Sequence, residues 1–125
     1  MAAVKTTTPS ALATKLVVQI DADESTNNNV TGGAGSLYMV KVDTTANVAT
    51  AAEPGVYLKI ADGNIVVATT PPGLVFFVPH GTTKTLVVAS GWAFATNLSF
   101  YCVTGAALAS TAGPSAKVIV SILAS

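Results

Sequence analysis

Arginine is absent from the chain, and six lysines are balanced by six carboxylates for a formal net charge of zero. Without arginine there are none of the planar, two-pronged donors that phosphate and base-edge recognition favour, so no nucleic-acid partner is expected. No run of basic residues exists either, which removes attraction to an anionic membrane surface. One cysteine excludes an internal disulfide, and one histidine leaves a nucleophilic triad with a single possible base. The longest apolar runs, GLVFFVP and KVIVSILA, fall well short of the ~20 residues a spanning helix needs. The opening MAAVKTTTPSALATK lacks the apolar centre of a secretory signal, so none is expected. The sequons at Asn29 and Asn97 are accordingly read as chance matches. Cation sites are equally thin. Zinc would have to be held mainly by carboxylates, and Asp21, Asp23 and Glu24 lack the glycine and spacing of a calcium loop. No metal, cofactor or catalytic residue is expected.

What is present is apolar and small. Half of the 125 residues are apolar, only 10 % are charged, and the mean hydropathy is +0.59. Soluble domains usually carry ~25 % charged residues. A chain this poor in charge tends to associate, which favours a built assembly over a free catalyst.

Hydrophobic periodicity points to strands. KLVVQID alternates, with Leu16, Val18 and Ile20 expected inside and Lys15, Gln19 and Asp21 outside. SLYMVKVD follows, then GVYLKIADG, where Val56, Leu58 and Ile60 should face in and Tyr57 and Lys59 out. GLVFFVP is apolar on both faces and is expected to be buried. TKTLVVAS, NLSFYCVTG and AKVIVSIL complete seven strands, with VVAT at 66–69 a possible eighth. Turn residues such as Glu53-Pro54-Gly55, Pro71-Pro72-Gly73 and Pro79-His80-Gly81 separate them. The fold class is therefore all-β, an antiparallel β-sandwich of jelly-roll-like type over residues 15–125. Residues 1–14 should be an extended N-terminal arm, and the polar stretch 21–36 a mobile loop.

The segment GWAFATNLSFYCVTGAA gathers the only Trp, the only Cys and two of the four Phe. Leu98, Phe100 and Cys102 share one face of a strand there. Trp92, Phe94, Leu98, Phe100 and Cys102 are accordingly assigned to the structural core, where a thiol is inert. His80 lies in a Pro-Gly turn and should be exposed.

The series SLYMVKVD, VYLKIADG, PPGLVFFVPHG, GWAFATNLSFYCVTGAA and AKVIVSIL resembles small β-sandwich domains in virion structural proteins of tailed bacteriophages. There the pattern runs "LY…V", "YLKIYD", "PVL…IPVPAG" and "GLAFSTGLSYAVTTGAAD" before a final apolar strand. The resemblance covers roughly residues 35–124. Asn97 replaces the usual Gly and Cys102 the usual Ala, and neither change disturbs the alternation. It implies a non-enzymatic structural role as a capsid decoration or cement protein, or a component of the head or tail. The expected partners are the major capsid protein or another virion protein and further copies of the chain, most simply as a homotrimer. The alternative is a host- or glycan-binding module, for which Tyr38, Tyr57 and Tyr101 are the candidate contact residues.

Overall fold

A computed structural model describes residues 2–7 and 14–125. Among them there are eight strands and no helix: β1 (Val4–Thr7), β2 (Lys15–Gln19), β3 (Gly35–Asp43), β4 (Gly55–Asp62), β5 (Leu74–Pro79), β6 (Thr83–Phe94), β7 (Leu98–Val103) and β8 (Ile119–Ala124). They form two antiparallel sheets, ordered β1-β2-β8-β3-β6 and β5-β4-β7. Val17, Leu37, Val40, Val42, Val120 and Ile122 from the larger sheet meet Val56, Leu58, Ile60, Val78, Leu98, Phe100 and Cys102 from the smaller. All of these have no accessible surface.

Alternation alone explains β4 and β7, where every second residue enters that core. In β3 it needs a correction. A bulge between Leu37 and Met39 shifts the register, so Leu37, Val40 and Val42 all turn inward although Leu37 and Val40 are three apart.

Several expectations from periodicity are overturned. In β2 the inward residues are Val17 and Gln19, while Leu16 and Val18 are half-buried on the opposite face and Ile20 is exposed. Pairing with β8 sets this phase, because Val17 lies opposite the buried Ile122. Gln19 tolerates burial because its Nε2 donates to Asn27 Oδ1 at 2.9 Å and its Oε1 accepts from Asp21 N at 3.2 Å. Lys59 points away from the main core as expected, yet it is fully buried beneath the loop that carries Ala107. GLVFFVP is not buried on both faces. It forms an edge strand, with Val75 50 % and Phe77 39 % exposed.

The stretch 66–69 is a turn and not a strand: Thr69 and Thr70 both donate to Val66 O, and Ala68 takes a left-handed φ of 66°. The eighth strand is instead β1, inside the expected arm, while residues 8–13 of that arm lie outside the described residues.

The polar stretch 21–36 is tied down and is no free loop. Ala22 N donates to Val118 O, and Cys102 N donates to Asp23 O, both at 2.8 Å. Asn27 exchanges both backbone bonds with Phe100, and Val30 N donates to Leu98 O. This segment thus runs along the edge of β7 that β4 leaves open.

Phe100 has no accessible surface and sits where the two sheets meet. Phe100→Ala should therefore cost about 3–5 kcal/mol, through lost burial and the cavity left behind. Ala68→Gly should stabilise by about 0.5–1 kcal/mol, because glycine accepts the left-handed conformation without the Cβ penalty. Urea unfolding of both variants, followed by tryptophan fluorescence, checks the two signs.

Candidate functional site

Three places gather the chain's chemically capable side chains. The first lies at the end of the sandwich where the turns 44–54, 80–82 and 113–117 converge. His80 follows β5, and its backbone N donates to Pro54 O at 3.0 Å. Its side chain is wholly buried, against the expectation of exposure, and its Nε2 lies 2.9 Å from Glu53 Oε1. The Glu53 carboxylate also accepts from Ser115 N at 3.0 Å and from Ser115 Oγ at 2.6 Å. Those bonds from Ser115, and then the His80 contact, hold the Glu53 carboxyl below its ordinary value of 4.5. A Pro-Gly turn suggests solvent, but it gives no sign that a carboxylate 27 residues earlier folds over the ring.

The order of these three groups decides their chemistry. A hydrolytic triad needs the serine bonded to the histidine, which takes its proton. Here the carboxylate lies between them and accepts from both, so Ser115 is not bonded to the imidazole. The arrangement is a clasp that joins three turns.

The second place is β7 and its surroundings. Phe94, Leu98, Phe100 and Cys102 belong to the main core, and Trp92 packs against it half-buried, with its indole over Gly73. A Cβ on Gly73 would come within 2.7 Å of that ring, so this glycine is needed for the approach. Burial, and secondarily the Asp23 carboxylate, push the Cys102 thiol up to about 12, which leaves it protonated and unreactive. His80 turns its Nε2 to Glu53, and its Nδ1 is buried with no hydrogen-bond partner among the described residues, so no Cys-His dyad forms.

On the other face of β7, Tyr101 packs with Ala61, Ile65 and Val103 in a smaller cluster. Its hydroxyl is buried without a partner among the described residues. Lys59, opposite Tyr101 in the β4–β7 register, holds its Nζ 5.7 Å from the centre of that ring and donates to Ala107 O at 2.7 Å. Removal from water, with no carboxylate in compensation, lowers the Lys59 pKa from 10.5. Of the tyrosines considered for glycan contact, Tyr101 is therefore buried, and Tyr38 and Tyr57 are half-buried. Tyr57 stacks on Phe77, with ring centroids 4.9 Å apart.

The third place is an open groove of about 470 Å³ between β1 and the segment 23–30. Lys5, Asp23, Ser25 and Asn27–Asn29 supply its polar lining, and Ala3, Val17 and Val30 its apolar part. Asn27 Oδ1 is occupied by Gln19 and by Ala3 N, and Asn28 Oδ1 by Ile65 N. Much of the Asn-rich lining therefore closes the chain on itself. Among the described residues no three of His, Cys, Asp and Glu gather so as to hold a metal ion, Asp21, Asp23 and Glu24 included. Both sequons are internally committed. Asn97 is buried, and Thr31 is buried with its Oγ1 accepting from Leu98 N.

The ionisable groups set the pH response of the fold. Glu53, Asp43 and Asp62 all have lowered values, Asp62 because Ala95 N and Thr96 N donate to it. A carboxyl with a depressed folded value stabilises above its unfolded value, and that contribution disappears as pH falls through the folded one. Lys59 has the opposite limb. Its charged form is disfavoured in the fold, so stability rises as pH climbs from its lowered folded value towards 10.5.

Thermal unfolding against pH should thus fall away in acid below ~pH 5, less steeply in Glu53→Gln, and should rise on the alkaline side in the wild type but not in Lys59→Met. His80→Ala should cost about 1–3 kcal/mol, because it removes a buried hydrogen-bonding ring. Cys102 should resist thiol reagents until the protein unfolds. No protein-family model, curated protein or solved structure matches the chain.

Proposed function

We propose that the protein is a non-enzymatic virion structural protein, a capsid decoration or cement protein that binds the assembled head shell and stabilises it. The observation that carries this reading is where the apolar side chains lie. Val75, Phe77, Val87 and Val4 are each at least 39 % exposed on strands, on a chain with little charge to keep it apart from neighbours. His80, Glu53, Ser115 and Cys102, the groups from which a catalyst would be built, are engaged in holding the fold.

Strand order supports a jelly-roll-like type. With segment 23–30 counted beside β7 and β1 set aside as an added edge strand beyond β2, the row 23–30, β7, β4, β5 faces the row β2, β8, β3, β6, the two four-membered sheets of that architecture. The resemblance over residues 35–124 points the same way.

The alternative, a host- or glycan-binding module of a head fibre or tail, is favoured by the Tyr57–Phe77 pair. The pair lies on the outer face of the smaller sheet, with Tyr57 half-buried on the central strand β4 and Phe77 39 % exposed on the edge strand β5, and aromatic surfaces beside polar groups suit sugar rings.

Undecorated particles incubated with purified protein separate the two readings. The cement reading expects saturable binding, a raised particle melting temperature, and reduced occupancy on deleting residues 2–14, which include the edge strand β1. No binding by the full-length protein overturns it, and binding to a glycan array but not to particles establishes the alternative.

A further inference from the structure

The backbone pairing of the smaller sheet can be followed strand by strand to its open edge. Phe100 exchanges both backbone bonds with Asn27, Leu98 O accepts from Val30 N, and Cys102 N donates to Asp23 O. These residues of β7 bond away from β4, which leaves Ser99, Tyr101 and Val103 to bond Ala61, Lys59 and Tyr57. Val56, Leu58 and Ile60 are then the residues of β4 that bond β5, through Val78, Phe76 and Leu74. His80 N, which donates to Pro54 O, follows the same phase. The backbone groups of Val75 and Phe77 therefore point to the open edge of β5, and nothing among the described residues bonds them. This free stretch is bounded. Pro79 has no N–H, and its carbonyl accepts from Thr44 Oγ1 and Thr82 Oγ1. At the other end Gly73 N is spent on Ile60 O.

Open edges invite another chain unless charge, a bulge or polar cover blunts them. β1 carries Lys5, the segment 23–30 carries Asp23 and Glu24, and β6 carries Lys84 and a register shift against β3. β5, LVFFVP, has no charged or polar side chain and no register shift against β4. Its Val75 and Phe77 side chains are also exposed, on the outer face of the sheet.

The spacing of the free groups selects the occupant. An antiparallel second copy, related by a two-fold axis at Phe76, sets Val75 opposite the other copy's Phe77 and Phe77 opposite its Val75. Both are hydrogen-bonded positions, so four bonds use every free donor and acceptor of the two edges. A register centred on Phe77 would set Val75 against Pro79, which has neither a donor nor a free carbonyl. One centred on Val75 would set Phe77 against Gly73, whose N–H is engaged. The favoured register also places a valine beside a phenylalanine on each side of the axis, and such aromatic–β-branched pairs are favourable. An unrelated strand can match the backbone, but so short a ladder leaves much of the affinity to side chains, and the chain's own are correctly placed for it. Zero net charge means that whole-molecule repulsion does not oppose the approach.

We infer that two copies of the chain pair edge to edge through β5 about a two-fold axis at Phe76, joining their smaller sheets into one continuous layer. The self-complementary contact is of the isologous kind, in which Val75 of each copy meets Phe77 of the other. The inference is independent of whether the assembly serves a capsid or a glycan. It also differs from the three-fold ring expected from shell symmetry, since the two give different masses in solution.

Sedimentation equilibrium of the purified full-length protein over a concentration series tests this. A dimer is expected. Val75→Pro removes an N–H that points to the open edge and none that serves β4, so it deletes two of the four bonds between copies. It should raise the dissociation constant about ten-fold or more. Val75→Lys charges the same edge and should weaken the dimer to a similar degree. Circular dichroism of each variant establishes that it is folded, and Val75→Lys, at an exposed position, keeps the test alive if the proline variant is not. Cysteines report the register. Opposite Cα atoms of a hydrogen-bonded pair are about 5.5 Å apart, within reach of a disulfide, whereas like positions of the two copies would be about 8 Å apart and out of reach. Oxidation should therefore cross-link a mixture of Val75→Cys and Phe77→Cys but neither variant alone, and the buried Cys102 takes no part. A monomer at every concentration, a trimer, a dimer insensitive to both changes at Val75, or a mixture that cross-links no better than its separate components would each overturn the inference.

Discussion

β7 runs through Leu98–Val103 without an exposed side chain, at the margin of a sheet only three strands wide. A strand so placed has backbone donors and acceptors on its open edge that water cannot reach, and each unpaired group there would cost about 1–3 kcal/mol. The segment 23–30 supplies the missing partners: Asp23 O, both backbone groups of Asn27, and Val30 N. Its polar composition follows from that task. Asn27, Asn28 and Asn29 use their side chains to bond Gln19, Ile65 and Gly32. These bonds brace the segment while the backbone of Asn27 serves β7. The second face of β7 makes a similar demand, met by the loop carrying Ala107 and by Ile65 and Val67 from the turn after β4.

The inner faces were legible because alternation is a local property. Val56, Leu58 and Ile60 on β4, and Leu98, Phe100 and Cys102 on β7, enter the core at the spacing their sequence shows. The failures have one cause, which is that the outer partner of a strand is not written in the strand. KLVVQID carries its stronger apolar stripe at Leu16, Val18 and Ile20, but its register against β8 sets the opposite phase. Val17, backed by Ile122 and flanked by the bonded Gln19, goes in. Lys59 is placed on the correct face by alternation, but the loop above it is contributed by residues 48 positions later. Likewise His80 is drawn inward by Glu53 across 27 residues.

Charged and nucleophilic groups in this protein are spent on closure. Glu53 clasps three turns, Asp62 caps the turn after β6 through Ala95 and Thr96, and Asp43 binds Thr45 beside the start of β6. Lys59 anchors a loop through a single carbonyl, and a buried ammonium with one acceptor has two donors unused. The same residues explain why the candidate catalytic groups do not combine. Each already has a structural partner at hydrogen-bond distance, or in the case of Cys102 an apolar one.

Such use of the polar groups leaves the solvent-facing surface of the sheets to β-branched and apolar residues. In an ordinary sandwich the outward positions of each strand are polar, and alternation separates core from water. Here Leu16, Val18, Met39 and Leu123 on one sheet, and Val75 and Phe77 on the other, occupy those outward positions. The reversed phase of β2 is part of this pattern, since its stronger apolar stripe is the one turned outward. Folding buries one apolar stripe per sheet and leaves a second, so the positive mean hydropathy is not accounted for by the core alone.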